Sequence, residues 1–139
     1  MTSVATFTKF ESFSEGLAKG EHNLSTDTLR VVLSNTAPDA AANTVLADIT
    51  EISAGNGYTA GGEDAQNSVS RTGGTTSVVG VDVVWTASGA IGPARYVILY
   101  NDTHASNALV GYWDRGSSVT LASGDTLTTD FGSSLFTVA

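Results

Sequence analysis

The stretch VVGVDVVWT at residues 78–86 has the clearest alternation of residue character in the chain. A period of two is typical of a half-buried β-strand, and β-branched valine is favoured on a pleated surface. The stretch therefore predicts one strand over 78–86. Because alternate side chains of a strand share a face, one face would carry Val79, Val81, Val83 and Trp85.

Short apolar runs on both sides of this stretch, separated by Gly, Asn and Asp, predict further strands. Residues 95–101 (RYVILYN) are apolar on both faces, which is typical of a strand at the centre of a sheet. Other strands are expected at 28–34, 109–114, 117–121, 125–131 and 135–138. About seven to nine short strands at this spacing predict an all-β fold, a jelly-roll-like β-sandwich. The apolar stretch 45–52 fits a helix or a strand equally well.

The first 20 residues carry the only helical pattern in the chain. Gly20 is the expected end of a short helix, because glycine is common just past a helix C-terminus. We therefore divide the chain into an N-terminal arm or short helix over 1–20 and a single β-sandwich domain over 21–139. The arm is expected either to pack on that domain or to dock on a partner. The stripe that defines it, spaced by three or four positions, is Phe7, Phe10, Phe13 and Leu17.

Length and charge bound the class of protein. The 139 residues suffice for one domain, and 14% of them are charged, against about 25% in typical proteins. Fourteen acidic and six basic residues give a net charge of −8. Because binding to phosphates requires clustered Lys and Arg, we expect no nucleic-acid partner. Anionic headgroups would repel the chain and no apolar run approaches about 20 residues, so we expect no membrane partner.

Absent residue types and motifs narrow the chemistry further. The chain has no cysteine, which excludes disulfides, thiolate catalysis and cysteine-type metal sites. It has no Asp-x-Asp-x-Asp-Gly loop of the calcium-binding kind. Its first residues have neither the basic nor the apolar region of a secretory signal peptide, so we expect synthesis in the cytoplasm of the host cell.

Catalytic constellations are weak in this sequence. The two histidines are His22 and His104, and Asp102 lies close to His104, but no serine stands in a Gly-x-Ser-x-Gly elbow. We therefore interpret Asp102 and His104 as members of a polar loop between strands. We expect no catalytic residue, no cofactor and no bound metal, and the chain is not predicted to be an enzyme. The carboxylate pairs considered for glycoside hydrolysis, which lack a supporting geometry, are Glu63 with Asp64 and Asp125 with Asp130.

Two further groups of residues could contact a ligand or partner. Residues 54–62 (AGNGYTAGG) are expected to form a long flexible loop, because glycine permits the positive φ that tight loops use. Tyr100, Tyr112 and Trp113 lie on neighbouring predicted strands and could form a platform for sugars. We favour the alternative that these three aromatic side chains form core or cross-strand pairs.

Four segments resemble small structural proteins of tailed bacteriophages, and most closely the capsid-cementing (decoration) proteins of short-tailed phages. The segments are 29–38 (LRVVLSNTAP), 48–62 (DITEISAGNGYTAGG), 94–103 (ARYVILYNDT) and 109–121 (LVGYWDRGSSVTL). The resemblance implies a jelly-roll-type β domain without enzyme activity. It implies copies on the outer surface of the virion, where they bridge neighbouring major capsid proteins and form homo-oligomers over symmetry axes.

These implications define the expected partners and contact residues. We expect the phage major capsid protein as the partner, and a homodimer, with a trimer as the alternative, because two-fold interfaces are the commonest closed symmetry. A structural protein of the phage tail or baseplate and a carbohydrate-binding β-sandwich module are the alternative functions. The residues expected to contact a partner are Phe7, Phe10 and Phe13 on the arm and Asn56 and Tyr58 on the glycine-rich loop.

Overall fold

A computed structural model describes residues 6–139 of the chain, so the first five residues of the expected N-terminal arm lie outside the described part. The predicted all-β sandwich with a short N-terminal helix is confirmed within these residues. The single α-helix among them, α1, spans Glu11–Ala18. The strands are β1 Phe7–Lys9, β2 Leu29–Ser34, β3 Glu63–Asp64, β4 Ser68–Thr72, β5 Thr75–Val79, β6 Val83–Thr86, β7 Ile91–Asn101, β8 Leu109–Leu121, β9 Thr126–Thr129 and β10 Phe136–Val138.

All strand pairs are antiparallel, and the strands form three sheets. The largest sheet has the order β1-β8-β7-β2-β3, the second has the order β10-β5-β4, and β6 and β9 form the third. β1 at the start of the chain and β10 at its end are therefore both outer strands of their sheets. Among residues 6–139, no helix is long and apolar enough to cross a membrane.

The central strand is β7, at the position that the sequence predicts. It pairs with β2 on one side, where Val97 lies opposite Leu33, and with β8 on the other, where Val97 lies opposite Trp113. Its two faces contribute to two separate clusters of buried residues. Val97 and Leu99 belong to the larger cluster, while Ile98 and Tyr100 belong to a smaller one that also holds Phe10. The apolar side chains on each face of β7 thus pack against other apolar side chains.

The prediction of one continuous strand over 78–86 is wrong. β5 ends at Val79 and β6 begins at Val83, and the two strands belong to different sheets. Between them the Val81 N–H donates to the carbonyl oxygen of Ala65 (2.9 Å) and the Val81 side chain is 54% exposed. Before the crossing the buried side chain is that of Val78, at an even-numbered position. After it the buried side chains are those of Val83 and Trp85, at odd-numbered positions, so the two strands do not share one alternating pattern.

The aromatic stripe of the first 20 residues is only partly helical. Phe7 lies in β1 opposite Trp113 of β8, and Phe10 continues this pairing by donating its N–H to the carbonyl oxygen of Val110 (3.1 Å). The helix begins only after Phe10, whose backbone is extended. Phe13 and Leu17 then point from α1 toward the main cluster. Residues 7–18 are thus joined to the sandwich, and the division of the chain at residue 20 stays a prediction.

Several other predicted boundaries differ from the observed ones. The strands expected at 109–114 and 117–121 form one strand, β8, whose register against β7 shifts between Asp114 and Val119, where Gly116 has a φ of 96°. The ambiguous stretch 45–52 contains a short 3₁₀ turn, Leu46–Asp48. The hairpin of β4 and β5 was not expected, because its serine- and threonine-rich residues have no apolar alternation.

Candidate partner-binding site

An apolar groove lies where the two ends of the described chain meet. It encloses about 520 Å³ between β1 and α1 on one side and β10 on the other. Its polar rim includes Lys9 and Ser14, and residues 137–139 close its far side. We call it the terminal groove, and its apolar walls are Phe7, Phe13, Leu17, Phe136 and Val138.

The walls of the terminal groove are held by aromatic contacts. The ring of Phe7 stacks on that of Phe136, with centroids 5.1 Å apart and planes 11° from parallel. Phe13 meets Phe136 edge to face at 5.5 Å, and Phe7 meets the buried ring of Trp113 in the same way at 5.1 Å. The groove is thus built on rigid rings that continue into the main core, which gives it a preformed shape.

Two strand edges flank the terminal groove. Within residues 6–139, β1 pairs only with β8, and β10 pairs only with β5. The outer edge of each strand therefore presents backbone N–H and C=O groups that an added strand can bond. Apolar walls beside open edges are the combination that binds an extended peptide, because the backbone bonds supply affinity and the pockets supply specificity.

The charge at the groove differs from that of the rest of the protein. Lys9 and Lys19 are the only lysines in a chain of net charge −8. Lys19 pairs with Glu15 across one helical turn at 3.1 Å, whereas Lys9 bonds the Ser14 hydroxyl. Among the described residues no carboxylate lies within salt-bridge distance of Lys9, so this ammonium group can pair with an acidic group of a partner.

The five residues expected to contact a partner differ in how much of each side chain is exposed. Phe7 is half-buried in the wall of the terminal groove, and Asn56 is exposed. Phe10, Phe13 and Tyr58 are buried, with exposed fractions of 0%, 3% and 2%. Phe10 and Tyr58 are therefore core residues that offer almost no surface to a partner. Phe13 reaches the groove only with the edge that contacts Phe136.

The glycine-rich stretch 54–62, which the sequence predicts to be a flexible loop, is braced by hydrogen bonds to the rest of the sandwich. The Arg30 guanidinium donates to the carbonyl oxygens of Gly61 (3.2 Å) and Gly62 (2.6 Å), and the Tyr100 hydroxyl donates to that of Gly61 (2.6 Å). The amide of Asn56 donates to the carbonyl oxygen of Ala90 (2.9 Å). These bonds fix the stretch on the sandwich, so its glycines serve the close approach of two backbones.

Tyr58 attaches the glycine-rich stretch to the core of the sandwich. Its hydroxyl accepts a hydrogen bond from the N–H of Leu33 (3.1 Å), and its ring lies 6.2 Å from that of the buried Trp85. Burial raises the pKa of Tyr58 far above its usual range, so the side chain is a neutral phenol at any physiological pH. Tyr58 therefore holds the loop in place.

A second cluster, which the sequence did not indicate, brings the two histidines together. The rings of His22 and His104 lie with centroids 5.7 Å apart and planes 29° from parallel. His22 is 7% exposed, and its Nδ1 lies 2.9 Å from the Asn101 amide nitrogen. His104 Nε2 lies 3.3 Å from a carboxylate oxygen of Glu21. No sequence signal links two histidines so far apart, because the contact depends on how the loop before β2 meets the loop after β7.

Three of the side chains considered for catalysis, His104, Asp125 and Asp130, accept hydrogen bonds from the backbone of their own loops and turns. Nδ1 of His104 accepts the N–H of Ser106 (3.1 Å), which leaves no serine hydroxyl bonded to this ring among residues 6–139. Asp125 accepts the N–H of Ala122 and Asp130 accepts that of Gly132, as turn-closing carboxylates do. Within the described residues, no group of three His, Asp or Glu side chains is arranged to hold a metal ion.

The aromatic residues on β7 and β8 form no platform for sugars. Trp113 belongs to the main cluster, whereas Tyr100 and Tyr112 pack with the smaller cluster on the other face of the sheet. The favoured prediction of core and cross-strand pairs is confirmed for these three residues.

No protein-family model, no curated protein and no solved structure matches this chain.

Proposed function

We propose that this protein is a structural virion protein that binds the outside of an icosahedral phage capsid and cements neighbouring major capsid proteins. The observation that carries the proposal is the terminal groove, an apolar site flanked by the open edges of β1 and β10. Such a site suits a protein that acts by attachment. The proposal also rests on the four segments that resemble phage cementing proteins.

The resembling segments and the groove have different roles in this proposal. The segments 29–38, 94–103 and 109–121 cover β2, most of β7, and β8, the centre of the large sheet. The segment 48–62 includes the braced glycine-rich stretch. These parts specify the scaffold, while the groove at its edge supplies the contact with a partner. A shared scaffold with a separate docking edge allows related proteins to attach to different shells.

We infer that the groove receives an extended apolar segment of the major capsid protein. Such a segment adds a strand to an open edge and places alternate apolar side chains between Phe7 and Val138. An acidic side chain in the segment would pair with Lys9. Because the phage shell repeats the same segment many times, a modest affinity at each copy is sufficient for dense decoration.

Attachment to the assembled shell explains how such a protein would strengthen it. A protein that binds the joined subunits and not the free ones shifts the assembly equilibrium toward the shell. The acidic surface, with 14 acidic residues against six basic ones, disfavours binding to packaged or free DNA. We also propose that the protein acts as a homodimer, with a trimer as the alternative, so that one oligomer spans two or more capsid subunits.

The first experiment is the molar ratio of this chain to the major capsid protein in purified virions. We expect a ratio near one or a simple fraction of it, because decoration follows the icosahedral symmetry of the shell. A few copies per particle would instead indicate a tail or baseplate protein. Absence from the particle would overturn the proposal and favour the sugar-binding alternative.

A pair of substitutions tests the groove itself. Val138→Asp places a charge on an apolar wall, and Val84→Asp adds the same charge on β6, at a side chain that is 53% exposed and outside the groove. We expect Val138→Asp to abolish cosedimentation with empty shells and Val84→Asp to leave it unchanged. If both variants bind like the wild type, the groove is not the docking site, even if the protein is a virion component.

A further inference from the structure

His22 lies in a closed setting between the helix and two loops. The ring of Phe13 from α1 lies 5.0 Å from the His22 ring, and the His104 ring lies on another side at 5.7 Å. Gly16 of α1 is so close that an added Cβ would lie 2.9 Å from Nε2 of His22. The glycine therefore lets the helix rest directly on the imidazole.

The amide of Asn101 fixes which nitrogen of His22 carries a proton. Its oxygen accepts the backbone N–H groups of Thr103 (3.0 Å) and His104 (3.2 Å), so its NH₂ group must face the other way. That NH₂ group donates to Asp27 (2.8 Å) and to Nδ1 of His22 (2.9 Å). Nδ1 of His22 is consequently an acceptor, and the single proton of the neutral ring is on Nε2.

A second proton on His22 cannot be accommodated without breaking this network. It would have to bind Nδ1, where it would face the NH₂ group of Asn101, a donor opposite a donor. Asn101 cannot turn its amide over, because its oxygen is needed by the two backbone N–H groups of the loop after β7. Asn101 is fully buried, so leaving its NH₂ group without an acceptor carries a desolvation cost.

The charges around His22 come from three elements. α1 contributes Glu15, the loop before β2 contributes Glu21 and Asp27, and the loop after β7 contributes His104. Burial and, secondarily, the neighbouring His104 lower the pKa of His22, while Asp27 and Glu21 oppose this shift. Neutral His22 therefore fits the folded protein better than charged His22.

The same residues connect His22 to the terminal groove. Phe13 contacts His22 with one side of its ring and meets Phe136 of the groove wall at 5.5 Å. The N–H of Glu21, next to His22 in the chain, donates to the carbonyl oxygen of Gly16 at the end of α1 (2.9 Å). His22 is thus connected by contacts both to the wall of the groove and to the end of α1.

We propose that His22 and Asn101 form a pH-sensitive latch that seats α1 at neutral pH and releases it when His22 gains a second proton. Release of α1 loosens Phe13 and lowers the affinity of the terminal groove for its partner. The identity of that partner rests on the proposed function, whereas the latch itself is a property of the free protein. The device makes attachment weaker in mildly acidic conditions.

The first test uses amide hydrogen exchange of α1 in the free protein between about pH 7.5 and about pH 5.5, expressed as protection factors. Protection should fall as the pH falls below about 6.5, by up to about tenfold at about pH 5.5. The matched variant is His22→Asn, whose side-chain oxygen can take the place of Nδ1 as an acceptor but does not titrate. It should keep the protection constant over this range.

The control variant is His104→Asn, which retains an acceptor for the N–H of Ser106 and leaves His22 able to titrate. It should still show a fall in protection, smaller than that of the wild type because His104 contributes to the lowered pKa of His22. Equal pH dependence in the wild type and in His22→Asn would overturn the latch. If His22→Asn does not fold, the ring signals of the wild type followed by NMR decide instead. Titration of His22 without a change in the signals of Phe13 and Phe136 would also overturn it.

A binding experiment separates this inference from the proposed function. Affinity for empty shells should fall from about pH 7.5 to about pH 5.5 in the wild type and not in His22→Asn. If no shell is bound at any pH but α1 loses protection as described, the capsid proposal fails and the latch stands. If shells are bound with the same affinity at both pH values while α1 loses protection, the coupling of the latch to the groove is wrong.

Discussion

The ring of Phe7 in the first strand stacks on the ring of Phe136 in the last strand, with centroids 5.1 Å apart. This contact joins the two ends of the described chain, and it links the five-stranded sheet to the three-stranded sheet. Residues 7–18 are therefore built into the sandwich, and the terminal groove is made from both ends of the described chain. A partner bound there would be held by residues that also close the fold.

The first prediction concerns the burial of the N-terminal segment. Phe10→Ala should lower the free energy of unfolding by about 3–5 kcal/mol, because it removes a fully buried ring beside Tyr112 and leaves a cavity. Lys19→Ala, on the exposed end of the segment, should change it by less than about 0.5 kcal/mol. Denaturant unfolding measures both. A Phe10→Ala protein as stable as the wild type would show that this segment is an independent arm.

The second prediction concerns the braced glycine-rich stretch. Gly62 has a φ of 74°, and an added Cβ would lie 1.7 Å from the carbonyl oxygen of Val31. Gly124 has a φ of 92° with no atom within 4 Å of an added Cβ. Gly124→Ala should cost about 1–2 kcal/mol from backbone strain alone, and Gly62→Ala should cost more than about 3 kcal/mol because the backbones must also separate.

Thermal unfolding of the two glycine variants gives the comparison directly. Since both substitutions carry the same strain of positive φ, the difference between them reports the close contact with β2. Similar losses in both variants would mean that the stretch moves away from β2 at little cost, as the expectation of a flexible loop requires.

The third prediction concerns acid stability. Hydrogen bonds from the Arg95 guanidinium, followed by that from the N–H of Gly116, hold the pKa of Asp114 below its ordinary value. The folded state thus gains stability from ionised Asp114 above about pH 4, and this gain is lost as the pH falls through the lowered pKa. Asp114→Asn should be less stable than the wild type near neutral pH, and the difference should shrink in acid.

Urea unfolding at about pH 6 and about pH 3 measures this change. Glu11→Gln is the control, since Glu11 is an exposed carboxylate with no ion pair among residues 6–139. A difference between Asp114→Asn and the wild type that stays constant with pH would show that the pair contributes through packing alone.

The sequence predicts the parts of this fold that depend on local pattern. The strand at 95–101 is recognisable because both of its faces are apolar, and β7 indeed lies between β2 and β8 with a buried cluster on each face. The break after Val79 is not recognisable, because Gly80 and Asp82 also fit a half-exposed strand. Only the bond from Val81 to Ala65, a tertiary contact, shows that the chain changes sheets there.

The candidate sites were harder to predict than the fold. Phe7 was expected to contact a partner, but the wall opposite it comes from Phe136 and Val138 at the other end of the chain. The backbone of His104 lies in a loop, as the sequence indicates, but the sequence does not indicate that its ring packs beside the ring of His22. Both sites arise from contacts between distant segments, and a single sequence without the pairing of its strands carries no signal for such contacts.

The last prediction concerns the ammonium group at the rim of the terminal groove. If an acidic group of the capsid segment pairs with Lys9, Lys9→Glu should weaken binding to empty shells by about tenfold or more, because it replaces an attraction with a repulsion. Lys19→Glu makes the same change of charge on the exposed end of α1, where the lysine pairs only with Glu15. Cosedimentation at low salt should separate the two variants, and the difference should narrow as salt is raised. Equal loss in both variants would indicate a general effect of net charge, and the partner would then contact this edge without a specific acidic group at Lys9.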